Sequence, residues 1–135
     1  MIRRFAGSAP WEEIYGYCRV VVAGDWALTA GTTATVNGQV VHAGDPYGQT
    51  QAAFTIALDA LREAGFELAS VVRTRMYVVD MGHQSEIGRA HNDLFTEIRP
   101  VATMVEVSAL ADPDHLIEVE VEAYRPAAGS SPEAV

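Results

Sequence analysis

Glu118, Glu120 and Glu122 occupy alternating positions in Ile117-Glu118-Val119-Glu120-Val121-Glu122-Ala123. In an extended segment such spacing sets three carboxylates on one face, roughly 6.5 Å apart, and turns Ile117, Val119 and Val121 to the other. On a solvated sheet face they would only keep the surface polar. In a partly enclosed cleft, one of them can hold a water and accept its proton as the water adds to a C=N bond, and a modestly raised pKa suits it for that work. Tyr17 offers a phenol donor and an aromatic wall, and Gly31 allows close approach of main chain to a ligand. A packed aromatic and a bulged strand end are the structural alternatives for these two. Arg19 and Arg75 are candidate anion-binding guanidinium groups, with ordinary ion pairing as the alternative.

Other chemistries find little support. His42, His83, His91 and His115 form no metal-ligand spacing, and Cys18 has no histidine adjacent in sequence, so it reads as a small buried residue. All nine basic residues are arginine, which leaves no lysine for a Schiff base. Neither a phosphate-binding glycine loop nor a dinucleotide fingerprint is present, so no cofactor and no metal is expected.

These residues must be carried by regular elements, and hydrophobic spacing predicts which. Strands are expected over 17–22 and 26–30, joined by Gly24-Asp25, and Asn37-Gly38 signals a further hairpin. A helix should begin after Asp45, with Pro46 in its first turn and Ala53, Ile56, Ala57, Ala60, Leu61 and Ala64 at helical spacing, and stop at Gly65. Over 71–80 an extended run sets Val72, Thr74, Met76 and Val78 on one face and Arg73, Arg75 and Tyr77 on the other. A second amphipathic helix is expected over 84–97, followed by strands over 103–109 and 116–124. The order β-β-α-β-α-β-β, with short strands at the start and near Val40, predicts an α+β fold in which two helices pack on one face of a mixed sheet. The opposite face must then meet either water or another subunit.

The chain has 135 residues, 49% of them hydrophobic, which suits one compact domain over 1–125 and a frayed tail over 126–135. A formal net charge of -9 disfavours phosphate backbones, so nucleic acid is not an expected partner. No apolar run approaches the ~20 residues that span a bilayer, and the N-terminus lacks a signal-peptide core. With one cysteine and hence no intrachain disulfide, a soluble, cytoplasmic protein is expected.

Arg99-Pro100-Val101-Ala102-Thr103-Met104-Val105-Glu106-Val107 and the terminal Glu-Val-Glu-Val-Glu-Ala strand, taken with Tyr17 and Gly31, resemble the RidA/YjgF family of reactive-intermediate deaminases. The resemblance runs from Tyr17 to Ala123 and implies a chorismate-mutase-like fold, a homotrimer with a central barrel, and three clefts between subunits. It further implies that Glu120 positions a hydrolytic water, that Tyr17 lines the cleft, and that main chain near Gly31 and Met104 holds the substrate. Family deaminases carry an arginine that grips the substrate carboxylate where this chain has Ala102. Losing such a bidentate partner costs on the order of 2–4 kcal/mol, so the standard 2-imino acid is disfavoured unless Arg19 or Arg75 takes over. Met104, where the family often has cysteine, makes the pocket more apolar. The expected function is cofactor-free deamination or hydration of a small imine, enamine or conjugated carbonyl metabolite. The alternative is a non-catalytic trimer that binds a metabolite or a partner in the same cleft.

Overall fold

The computed structural model describes residues 1–125, so the tail expected over 126–135 lies outside the described residues. In chain order the elements are β1 (Ile2–Phe5), α1 (Pro10–Tyr15), β2 (Val20–Ala23), β3 (Trp26–Thr29), β4 (Thr32–Thr33), β5 (Thr35–Val36), β6 (Gln39–Val40), α2 (Pro46–Glu63), β7 (Val71–Val78), α3 (Gln84–Phe95), β8 (Val101–Glu106) and β9 (Ile117–Tyr124). The main sheet runs β1-β2-β3-β9-β7-β8, and β4 also pairs with β9. All its pairings are antiparallel except β7 with β8, which α3 connects as a parallel crossover. This is the expected mixed α+β sheet.

Local chemistry explains the boundaries. Asn37 and Gly38 both take positive φ, 51° and 77°, which turns β5 back onto β6. Asp45 caps α2 by accepting from Gly48 N at 3.0 Å, and Pro46 supplies the preset φ of the first turn. The helix ends at Ala64 and Gly65, whose φ of 94° few other residues tolerate.

Packing follows the periodicities. α2 buries Ala53, Phe54, Ala57 and Leu61, α3 buries Ile87 and Phe95, and β9 buries Ile117, Val119, Val121 and Ala123. Phe54 and Phe95 meet edge to face at 5.1 Å and tie the two helices together over the sheet. Each large apolar side chain removed from water here contributes about 1.5–3 kcal/mol before entropy is counted. α2 and α3 therefore cover one face.

Several expectations are corrected. Residues 17–19 are not strand: a short helix, α1, occupies Pro10–Tyr15, Gly16 ends it at φ 79°, and β2 begins only at Val20. At one and a half turns, α1 is too short to show a helical period. In β7 a register shift between Val71 and Arg73 turns Val71 inward and leaves Val72 exposed, against the predicted alternation. β8 runs over Val101–Glu106 rather than 103–109. Among the described residues no helix is long and apolar enough to cross a membrane.

The sheet's other face carries the Glu118, Glu120 and Glu122 row, flanked by Arg73, Arg75 and Tyr77 of β7. Trp26, Leu28, Val101, Val105 and Tyr124 are also exposed. Strand pairing sets all five on that same face, Val101 opposite Arg73 and Leu28 opposite Glu122.

Candidate active site

The three carboxylates share a face, but their surroundings separate their roles. Glu122 Oε1 accepts from Arg75 Nη1 at 2.7 Å and its Oε2 lies 3.6 Å from Arg73 Nε. Glu120 Oε1 accepts from the Tyr77 hydroxyl at 2.5 Å, and that bond, with some burial, holds the phenol above its ordinary pKa. Glu118 is different. It is half-buried and engaged by neither arginine of β7, and it stands opposite Thr33 of β4 and Tyr77 of β7. Burial pushes its carboxyl above the usual value; the Glu120 charge adds to the rise, while His115 and Arg19 oppose it.

Gly31 closes over this carboxylate. A Cβ at position 31 would lie 1.9 Å from Glu118 Oε2, closer than any atom can approach, so the absence of a side chain is what lets the two strands meet here. Arg19 fixes the glycine from the other side. Its Nη1 donates to Gly31 O at 2.8 Å and to Thr32 Oγ1 at 3.0 Å. Its Nε is 3.6 Å from Glu12 Oε2 in α1, and its guanidinium lies 5.8 Å from the Tyr17 ring centroid. Glu12 is itself buried and accepts from Gly7 N at 2.8 Å. The loop from α1 to β2 is thereby tied to the main chain beside Glu118.

Tyr17 lies in that loop, 41% exposed, and lines an open cavity of about 760 Å³ with Cys18, Val21, Leu28 and Ala30. Ala30, the chain neighbour of Gly31, lines this cavity, whereas Gly31 and Glu118 do not. The expected residues of β8 are not gathered with it. Ala102 pairs with Thr74 and Met104 with Met76, two strands from β9 and hence roughly 10 Å away. Ala102 is exposed, whereas Met104, expected to line the pocket, is partly buried and packs against the core of its own chain. The guanidinium groups proposed as substitutes are occupied, Arg19 by Gly31, Thr32 and Glu12, and Arg75 by Glu122. One chain brings together Glu118, Gly31, Arg19 and Tyr17, and leaves Ala102 apart.

Sequence reasoning passed over Glu12, Tyr77 and His115. Tyr77 had a legible signal, since it shares strand parity with Arg75. Glu12 and His115 had none, because their partners lie in distant segments.

A mixed sheet covered on one face by helices, with a half-buried carboxylate lodged against a glycine at a strand end, defines the class of fold and site. Residues 7–125 match the Endoribonuclease L-PSP family, and the chain belongs to that family, also known as YjgF/RidA. An uncharacterized protein of Streptomyces coelicolor is 43% identical over 129 residues, 96% of either chain. The crystal structure of Rv2704 from Mycobacterium tuberculosis, a member of the YjgF/YER057c/UK114 family, superposes with a TM-score of 0.84 at 38% identity, covering 93% of this chain and all of that one. The 3-aminoacrylate deaminase RutC of Acinetobacter baylyi is 32% identical over 88 residues, 65% of this chain and 69% of RutC.

Proposed function

We propose that this protein is a hydrolytic deaminase of small imines and enamines, working in a cleft completed by neighbouring copies of the chain in a homotrimer. The observation that carries the reading is Glu118, a half-buried carboxylate with an elevated pKa, seated where only glycine fits beside it. We assign the water-holding role to Glu118 rather than to Glu120, the residue the resemblance implies, because Glu118 is half-buried and its pKa is raised by burial, whereas Glu120 Oε1 accepts from Tyr77.

In the reaction an enamine takes a proton on carbon, or an imine takes one on nitrogen, to become the iminium ion. Water held by the Glu118 carboxylate then adds to the iminium carbon while Glu118 takes one of its protons, which leaves a neutral carbinolamine. That proton passes from Glu118 to the nitrogen, and the C–N bond breaks as the hydroxyl gives its own proton back to Glu118, releasing ammonia and a carbonyl product; the last proton leaves Glu118 with ammonia as ammonium. Imine plus water equals ketone or aldehyde plus ammonia, so no further reagent is required. Tyr17 walls the apolar part of the substrate.

Two features support assembly. The uncovered sheet face exposes Trp26, Leu28, Val101, Val105 and Tyr124, a large apolar surface for a lone chain in water. Ala102 lies two strands across and three residues along from Glu118, roughly 14 Å within one chain, so a substrate spanning both positions needs them drawn from different copies. A second reading, binding without turnover, is favoured by one observation: position 102 is alanine, and the two arginines expected to replace its charge, Arg19 and Arg75, are already engaged by other groups.

An amino-acid oxidase that generates 2-iminopropionate in situ provides the test. Wild type should accelerate loss of this imine weakly, and Ala102→Arg should accelerate it ~30- to 1,000-fold more, as a restored bidentate pair would. If neither protein acts on this imine or on a carboxylate-free analogue, the hydrolase reading falls and the binding reading replaces it.

A further inference from the structure

The cavity that Tyr17 borders has a charged wall as well as an apolar one. Tyr17, Val21 and Leu28 form its apolar side, and Glu12, Glu13 and Arg4 its charged side. Glu12 stands out among them as a carboxylate only 6% exposed. Its Oε1 accepts from Gly7 N at 2.8 Å, but its Oε2 is buried and has no hydrogen-bond partner among the described residues. Arg19 Nε, 3.6 Å away, balances part of the charge from a distance too long for a hydrogen bond, while Nη1 of the same guanidinium is spent on Gly31 O and Thr32 Oγ1. A Cβ at residue 7 would lie 2.8 Å from Glu12 Oε2, so glycine there leaves the oxygen its place. A buried carboxylate oxygen without a donor is costly, and a cationic N–H group brought into the cavity supplies both the donor and the opposite charge.

We infer that Glu12 makes this cavity a subsite for an organic cation, so that the imine or enamine taken by the protein carries an ammonium group on a short apolar stem in place of a carboxylate. This rests on the reading above that the substrate lies against Tyr17. Separate observations converge on the charge preference. Position 102 carries no cation, and Arg75 is held by Glu122. An anion entering the cavity meets Glu12 and Glu13 with Arg4 alone in its favour, because the Arg19 charge is shared with Glu12. A cation meets the reverse balance, and the face of the Tyr17 ring, which already lies 5.8 Å from the Arg19 guanidinium, attracts positive charge in its own right. Val21 and Leu28 take up the apolar stem.

The test compares binding of isobutylamine, isovalerate and isobutanol, which share a branched apolar end and are cationic, anionic and neutral at neutral pH. Binding is followed through the NMR signals of Tyr17 and Leu28. Wild type should bind the amine at least ~10-fold more tightly than the acid, the scale of one hydrogen bond to a charged group. Glu12→Gln keeps an oxygen for Gly7 N but loses the charge; it should cut that ratio at least about threefold and leave isobutanol unchanged. Asp59→Asn removes an exposed charge on α2 and should leave the ratio as it is, which separates Glu12 from the general negative charge of the chain. A purely structural role for Glu12 would weaken all three ligands alike. Equal binding of amine and acid by wild type overturns the inference, as does an unchanged ratio in Glu12→Gln. Should that variant fail to fold, Glu13→Gln, exposed on the same wall, must lower the ratio, and no change there overturns the inference equally. Preference for the amine without turnover of any imine upholds the subsite and removes the hydrolase reading; turnover by a protein that shows no such preference does the opposite.

Discussion

Replacing Gly31 by alanine tests the contact on which the site depends. The added methyl would lie 1.9 Å from Glu118 Oε2 and 3.0 Å from its Cδ. An ordinary carbon-to-oxygen contact is about 3.3 Å, so the carboxylate oxygen must retreat by about 1.4 Å. The obstacle is the far end of a flexible side chain rather than main chain, so the fold should survive at a cost of about 1 kcal/mol, the scale of one displaced rotamer. Turnover should not survive so well. A displacement of about 1 Å in a reacting group costs on the order of 100-fold, equivalent to about 2.7 kcal/mol of transition-state stabilisation. The assay is stopped-flow loss of an enzymatically generated imine, run beside thermal melts. Gly88→Ala in α3 serves as control, since a Cβ there meets nothing within 4 Å. It should keep full activity and gain up to about 1 kcal/mol from helix propensity. If Gly31→Ala turns over within threefold of wild type at an unchanged melting temperature, Glu118 is not held by this glycine and the reasoning is wrong.

Glu118→Gln should lower kcat at least ~100-fold, whereas Glu120→Gln should have the smaller effect, because Glu120 already accepts from Tyr77. The same Glu118→Gln variant should melt higher than wild type at neutral pH. The folded chain keeps the Glu118 proton to a higher pH than the unfolded chain does. The penalty is therefore absent below the ordinary carboxylate range, grows as pH rises between the unfolded and folded titrations, and is complete above the latter. Melts across pH 3 to 8 should show the two proteins converging at the acid end, and a constant gap would contradict it. Gln49→Leu should lose about 3 kcal/mol in urea unfolding, since both Asp114 O and Leu116 N would lose buried partners. Light scattering should give three times the chain mass for wild type and a smaller species for Leu28→Asp; a monomeric wild type would remove the intersubunit cleft.

Much of the framework was legible in the order of residues. Strict alternation in β9 and helical spacing in α2 and α3 are one-dimensional records of which side faces the core, because burial on one face of a regular element imposes its own period. Asp45-Pro46 and Asn37-Gly38 announced their turns because the cap and the positive φ are local demands. The same logic failed where the signal was too short or interrupted: α1 has six residues, and the register shift near Val71 breaks the alternation it was read from.

The site itself divides along the same line. That carboxylates of β9 share a face is a property of spacing, available from the chain alone, while the resemblance to a family implied that Tyr17 and Gly31 attend them and that Ala102 stands where a charge is usual. Which carboxylate matters is not. Glu118, Glu120 and Glu122 are equivalent by parity, and only the packing of Gly31 and Thr33 on one side, Tyr77 and the arginines of β7 on the other, makes Glu118 the desolvated and unbonded one. Desolvation and pairing are three-dimensional sums over neighbours from distant segments, and no period along a strand encodes them.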